Sequence, residues 1–160
     1  MTRVAAIDCG TNSIRLLIAD IDRSNGTTLK DVWREMRVVR LGQDVDATGE
    51  LAPEALERTF AATADYARLI REHGAGAVRF VATSASRDAR NRDVFVAGIR
   101  DLLGVEPEVI SGDEEAALSF AGASSVLPIL DGHQVLVVDL GGGSTEFVLG
   151  TSNGVTAAKS

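Results

Sequence analysis

The first forty residues have the apolar pattern of three successive β-strands. Residues 4–7 and 14–21 are two apolar runs, separated by the turn sequence Gly-Thr-Asn at residues 10–12. Across residues 29–41 apolar and charged side chains alternate, which is typical of a strand with one face toward water. The polar segment 42–53 that follows predicts a loop.

The next hundred residues alternate between helical and strand patterns. An apolar stripe with helical spacing covers residues 56–70, between Pro53 and Gly74. We expect a second helix after Asn91, which would cap it, and a third after Ser111. Four apolar segments between and after these helices predict strands, at residues 77–82, 105–110, 135–139 and 145–150. This order predicts an α/β fold with a mixed β-sheet flanked by helices.

A strand–turn–strand sequence occurs twice in the chain. Residues 4–18 align without gaps on residues 135–149, and both copies read strand, Asp-x-Gly-x-x-Ser, strand. Chance similarity of two glycine-containing hairpins is the simpler explanation, whereas the constant register favours duplication of a lobe. We therefore expect a first lobe in residues 1–130 and the beginning of a second lobe in residues 131–160, as in a fragment of a longer, two-lobed protein.

The two turns carry groups that bind phosphate. Glycines let backbone amides approach an anion closely, and nearby hydroxyls add neutral donors. A single Asp-x-Gly is most simply a tight turn, but two copies in register favour phosphate binding. Because Asp8 and Asp139 would repel a phosphate, the pairing also predicts a divalent cation between them. The candidate phosphate-binding residues are Gly10, Thr11, Asn12, Ser13, Gly141, Gly142, Gly143, Ser144 and Thr145.

Two further segments could contribute to such a site. Residues 83–91 follow a strand and contain three hydroxyls and two arginines, which suits either a polyanion or a solvated loop. In the second segment Ser111 and Glu114 have the spacing of a helix capping box. Glu115 is left free by that cap and is either a general base that activates water or a surface acid.

Composition excludes several classes of protein. The 160 residues are 45% hydrophobic, which is too many for a disordered chain, and charges interrupt every apolar run before a membrane span is reached. The start of the chain does not resemble a signal peptide, and the single Cys9 fits a cytoplasmic protein. The net charge of −7 argues against nucleic-acid binding. We interpret Cys9 and Trp33 as core residues and the arginines at 34–40 as a solvated strand face.

Four motifs together resemble the exopolyphosphatase/guanosine pentaphosphate phosphatase (Ppx/GppA) family. They are Asp-Cys-Gly-Thr-Asn-Ser-Ile-Arg at residues 8–15, Ala-Thr-Ser-Ala-Ser-Arg-Asp-Ala at 82–89, Ile-Ser-Gly-Asp-Glu-Glu-Ala at 110–116 and Asp-Leu-Gly-Gly-Gly-Ser-Thr-Glu at 139–146. The resemblance implies an actin-like ATPase (ribonuclease H-like) fold, of which this chain is the first lobe. The family's second lobe is much longer than the segment present here, and we expect little turnover from these 160 residues alone.

The resemblance also implies a reaction and roles for its residues. The reaction is hydrolysis of the terminal phosphoanhydride of polyphosphate, or of the 5′-γ-phosphate of guanosine pentaphosphate. Glu115 matches the family's catalytic base and Arg87 the arginine that holds the phosphate chain. Asp139 and Glu146, assisted by Asp8, match the acids around Mg²⁺ or Mn²⁺. The family is usually homodimeric, and no membrane or nucleic-acid partner is expected.

The sequence leaves three alternatives open. It does not choose between polyphosphate and guanosine pentaphosphate as the substrate. An ATP-dependent sugar or acetate kinase would share the fold but would not need the motif at residues 110–116. A non-catalytic module that senses polyphosphate or the alarmone would share the binding turns, and replacing Glu115 by glutamine would change it little.

Overall fold

The computed structural model describes residues 1–24, 28–127 and 132–160. Their strands are β1 (Thr2–Cys9), β2 (Ser13–Asp22), β3 (Thr28–Val38), β4 (Ala77–Ala82), β5 (Glu108–Val109), β6 (Val135–Leu140), β7 (Thr145–Thr151) and β8 (Gly154–Lys159). Their helices are α1 (Val45–Thr48), α2 (Pro53–Glu72), α3 (Ser84–Asp88), α4 (Arg92–Leu103) and α5 (Gly112–Ser124).

Five strands form a mixed sheet in the order β3-β2-β1-β4-β5, as the alternation of strands and helices predicts. The first three strands are antiparallel neighbours, whereas β4 runs parallel to both β1 and β5. Alternate apolar residues of β1 and β2, such as Ile7 and Leu16, enter one core with α2 and α4. The Tyr66 hydroxyl of α2 donates to the Ile14 carbonyl oxygen of β2, 3.1 Å away, and fixes the helix on this face.

The last three strands form a separate antiparallel sheet in the order β6-β7-β8. Helix α5 covers one face of this sheet, where Ala116, Phe120 and Val148 form a small second core. The predicted boundary between two lobes, at residue 131, lies outside the described residues. The division at that residue therefore stays a prediction.

Five local features differ from the sequence-based expectation. Helices α1 and α3 occupy segments expected to be loops, and β5 has only two residues. Strand β8 was not predicted, although Asn153 and Gly154 are a strong hairpin signal. Asn91 precedes α4 but does not cap it, because its side chain bonds both the N–H and the carbonyl of Leu51.

Two core expectations have different outcomes. Cys9 is buried, as expected, and burial raises the pKa of its thiol well above the ordinary value. Trp33 is 40% exposed, so its assignment to the core was wrong. It belongs to the edge strand β3, and its indole contacts the ring of His73, the residue that follows α2, with ring centroids 5.3 Å apart. No helix among the described residues is long and apolar enough to cross a membrane.

Candidate active site

The sequence repeat is reproduced at the level of single hydrogen bonds. In the β1–β2 turn the Gly10 N–H donates to the Ser13 carbonyl oxygen at 3.0 Å. In the β6–β7 turn the Gly141 N–H donates to the Ser144 carbonyl oxygen, also at 3.0 Å. The two Asp-x-Gly-x-x-Ser motifs therefore adopt the same turn, with the aspartate at the end of the incoming strand.

The two turns lie against each other. A Cβ atom added to Gly142 would lie 2.7 Å from the Cβ of Asn12, and one added to Gly143 would lie 2.6 Å from the Thr11 Oγ1. Real Cβ atoms essentially never show contacts this short, so a side chain at either position would force Asn12 or Thr11 to move. The structure thus brings the two predicted phosphate-binding segments together.

A third segment joins these turns at the end of β4. Ser84, the first residue of α3, has its hydroxyl 2.8 Å from the Thr11 hydroxyl. A Cβ atom added to Gly143 would also lie 3.2 Å from the Ser84 hydroxyl oxygen. Ser84 is one of the three hydroxyl residues of segment 83–91, which the sequence offers for a polyanion site, although its contact with the first turn was not predicted.

The aspartates of the two motifs face cross-strand partners of different charge. Asp8 is opposite Arg15, whose guanidinium donates to the Asp8 carboxylate at 3.2 Å. In the second copy Asp139 is opposite Glu146, so two carboxylates take the place of the ion pair. Like charges directly opposite on a sheet are unfavourable without further partners.

Each carboxylate of the second copy accepts a hydrogen bond from a different serine. The Ser119 hydroxyl of α5 donates to Asp139 at 2.8 Å, and the Ser160 hydroxyl donates to the buried Glu146 at 3.0 Å. Ser119 was missed by the sequence analysis. The sequence spacing could have indicated it, because Ser119 follows Glu115 by four residues and so lies on the same face of α5.

Arg87 ties α3 to the segment that precedes α5. Its guanidinium donates to the Ile110 carbonyl oxygen at 3.0 Å and lies 3.5 Å from the Glu115 carboxylate. The side chain is about one-third exposed, so part of the guanidinium remains accessible to an anion. The structure therefore brings the two predicted catalytic residues into direct contact.

Glu115 occupies an environment that disfavours its charge. Its Oε2 atom is buried, and among the described residues its contact with the Arg87 guanidinium, at 3.5 Å, is a long ion pair rather than an aligned hydrogen bond. Burial raises the pKa of Glu115, and the Glu146 carboxylate adds to the rise, while Arg87 and Thr83 oppose it. The helix cap does not use the Glu115 side chain. The Ser111 hydroxyl accepts from the Glu114 N–H, and the Glu114 side chain pairs with Arg79.

Asp8 has a raised pKa for similar reasons. Removal of water by the surrounding protein is the main cause, the nearby Asp139 carboxylate adds to it, and Arg15 opposes it. Asp8 and Asp139 therefore lie close enough for their charges to interact. The carboxylates of the site form two such pairs, Asp8 with Asp139 and Glu115 with Glu146.

These carboxylates can hold a metal ion only with help from other ligands. Within the described parts of the chain, no three Asp, Glu, His or Cys side chains are grouped closely enough to bind a metal. Mg²⁺ usually keeps several waters and binds one or two carboxylates together with substrate phosphates. The interacting Asp8 and Asp139 pair fits such a site, while a ligand role for Glu146 stays a prediction.

The chain is similar to known proteins over nearly its whole length. The model of the Ppx/GppA phosphatase family matches residues 17–160. Exopolyphosphatase 2 of Mycobacterium tuberculosis is 60% identical over 156 residues, which cover 94% of this chain and 49% of that protein. The chain spans about half the length of the curated relatives it matches.

Solved structures show the same relationship. An exopolyphosphatase-like protein has a TM-score of 0.89 at 52% identity, covering 99% of this chain and 49% of that chain. An exopolyphosphatase from Cytophaga hutchinsonii has a TM-score of 0.91 at 32% identity, with the same coverages. These neighbours confirm the expected actin-like ATPase fold. Sequence and structure therefore agree that the chain belongs to the Ppx/GppA phosphatase family.

Proposed function

We propose that the full-length protein is an exopolyphosphatase, which hydrolyses the terminal phosphoanhydride bond of inorganic polyphosphate. The observation that carries this proposal is the buried Glu115 carboxylate, whose Oε2 atom lies 3.5 Å from the Arg87 guanidinium without an aligned hydrogen bond. A carboxylate with a raised pKa, near two turns rich in glycine and hydroxyls, suits the removal of a proton from water at a phosphate. The names of the relatives at 60% and 32% identity support polyphosphate as the substrate.

The chain's own residues can perform the steps of this hydrolysis. Backbone amides of Gly141–Gly143 and the hydroxyls of Ser144 and Thr145 would hold the terminal phosphoryl from one side, and residues 10–13 from the other. Arg87 would neutralise the negative charge that increases as the reaction proceeds. Glu115 would take a proton from the attacking water. The water oxygen bonds to phosphorus while the bridging P–O bond breaks, and the shortened polyphosphate leaves with that bond's electron pair.

A divalent cation is part of this proposal. The acids that would hold Mg²⁺ or Mn²⁺ are Asp8 and Asp139, with Glu146 as the third residue implied by the family resemblance. A bound cation would neutralise phosphate charge and so favour attack by water. The protein has a net charge of −7 and can hold a polyanion only by local neutralisation. Turnover in excess EDTA equal to turnover in Mg²⁺ would contradict this part.

Phosphate release from the full-length protein tests the activity. We expect release from long polyphosphate in Mg²⁺, and we expect Glu115→Gln to lower kcat by a factor of about 10²–10⁴, the usual contribution of a general base. Short polyphosphate and guanosine pentaphosphate are assayed in parallel. A preference for guanosine pentaphosphate would move the assignment to the other activity named in the family resemblance.

Glu114→Gln is the matched control. Glu114 is adjacent in sequence but pairs with Arg79 at the exposed helix start, so this change should alter kcat by less than about twofold. Equal loss in both variants would point to a fold defect. A protein whose Glu115→Gln variant binds and turns over polyphosphate like the wild type does not use Glu115 as its base.

A further inference from the structure

Arg40 is held directly against the first phosphate-binding turn. Its backbone N–H and that of Val39 both donate to the Asn12 carbonyl oxygen, at 2.9 and 3.0 Å. Two residues later, the Gly42 N–H donates to the Thr11 carbonyl oxygen at 2.9 Å. The segment that follows β3 is therefore fastened to both central residues of the turn.

The backbone of Arg40 has a conformation that arginine rarely adopts. Its φ is 51°, in the left-handed region, where the Cβ of an L residue crowds its own backbone. Arg40 and Asp44 are the two non-glycine residues with positive φ in the described ranges. Glycine would fit position 40 without strain. An arginine kept in such a conformation beside a functional site suggests that its side chain has a use there.

The Arg40 side chain extends from the core without an acidic partner. Its neighbours Val39 and Leu41 are both buried in the main core, whereas Arg40 itself is exposed. In the part of the chain that the structure describes, its guanidinium makes no ion pair or hydrogen bond. Arg15 and Arg87, in contrast, are each paired with a carboxylate of the site.

A second arginine braces this segment. The Arg58 guanidinium of α2 donates to the Val39 carbonyl oxygen at 2.8 Å and to the Gln43 side-chain oxygen at 2.9 Å. Its partners are both uncharged, so its positive charge adds to that of Arg40. The segment that follows β3 therefore has two arginines beside it, Arg40 and Arg58, that make no ion pair with an acid among the described residues.

We propose that Arg40 binds the polyphosphate chain next to the terminal phosphoryl group and so contributes to substrate affinity. The inference rests on the proposed function and adds a specificity residue to it. Guanidinium groups form strong, charge-assisted hydrogen bonds to phosphate oxygens. Loss of such a contact, made equally in the ground state and the transition state, raises KM and leaves kcat nearly unchanged.

Arg40→Gly in the full-length protein separates a binding role from a structural one. If the side chain binds substrate, the variant should be at least as stable as the wild type, because the backbone strain is relieved. Its KM for polyphosphate should nevertheless rise roughly tenfold, with kcat within about twofold of the wild type. The difference in KM should shrink as NaCl is raised, because salt screens the contact.

Two variants control for strain and for charge. Asp44→Gly relieves the backbone strain at the other positive φ of the same segment without removing a cation. It should leave KM unchanged. Arg34→Ala removes an exposed arginine from the neighbouring strand and should also leave KM unchanged. An Arg40→Gly variant with wild-type KM overturns the proposal, as does an equal rise in the Arg34→Ala variant.

Failure of the proposed function is distinguishable from failure of this inference. A wild-type protein that releases no phosphate from polyphosphate contradicts the function itself. Calorimetric titration with tripolyphosphate then measures the role of Arg40 without turnover. Weaker binding by Arg40→Gly than by the wild type and by Arg34→Ala supports the proposal, and binding equal to that of Arg34→Ala rejects it.

Discussion

Glu115 has an environment that suits a reaction better than it suits stability. Its buried Oε2 atom has a long ion pair with Arg87, at 3.5 Å, but no aligned hydrogen bond from the described residues, and the Glu146 carboxylate repels its charge. An unsatisfied buried polar group costs free energy in the folded state. The raised pKa of Glu115 expresses the same cost, because the folded protein favours the protonated form.

Glu115→Gln should therefore stabilise the protein at neutral pH. The folded-state pKa is above the unfolded one, so at pH 7 the charged carboxylate lowers the free energy of unfolding. Below about pH 4 the group is protonated in both states and this penalty disappears. We expect a gain of about 1 kcal/mol at pH 7 that declines as the pH falls, measured by urea unfolding. A variant less stable than the wild type at pH 7 would contradict it.

At the scale of elements, the two hairpins of the repeat bury opposite faces. Ile7 of β1 and Leu16 of β2 are buried beneath α2, whereas their equivalents Val138 and Phe147 are 51% and 49% exposed. Conversely, α5 covers the face of the second hairpin that contains Val148. The same sequence motif thus supports two different packing arrangements, because the covering helix comes from a different side.

A pair of equivalent substitutions measures this difference. In the 160-residue chain, Ile7→Ala removes apolar volume from a filled core and should cost about 2–5 kcal/mol in the free energy of unfolding. Val138→Ala changes a half-exposed position and should cost less than about 1 kcal/mol. Denaturant unfolding monitored by circular dichroism compares the two, at a chain concentration low enough for light scattering to show a monomer. Equal costs would show that the second hairpin is covered on both faces in solution.

The sequence predicts the elements whose signals are local. Strand alternation, the repeated turn and the Ser111 cap each involve neighbours within a few residues, and the structure confirms them. Asn91 was assigned to a cap because its bond to Leu51, 40 residues away, leaves no local pattern. The contacts of Ser84 with Thr11 and of Ser119 with Asp139 were missed for the same reason.

At the scale of the whole molecule, the second sheet presents an apolar face. Leu136, Val138, Leu140 and Phe147 all lie on the side of the sheet opposite α5, and each is at least 49% exposed. In the first hairpin the equivalent residues form the main core. In these 160 residues nothing that the structure describes covers this face.

The 160-residue chain on its own should therefore self-associate. Contiguous exposed apolar surface of this kind drives association between copies. Replacing Leu136 and Leu140 by serine should restore the monomer without loss of secondary structure, as measured by light scattering and circular dichroism. In the full-length protein the same double variant should lower stability. A chain that stays monomeric at high concentration would show that these side chains are already shielded.

The close approach of the two turns depends on two residues that have no Cβ atom. Gly142 and Gly143 touch Asn12 and Thr11 so closely that a single added methyl group would act as a wedge between them. The distance between the two hairpins is thus set by glycine hydrogen atoms, which stand where other residues have a Cβ. Alanine, the smallest possible substitution at either glycine, should therefore be enough to push the two turns apart.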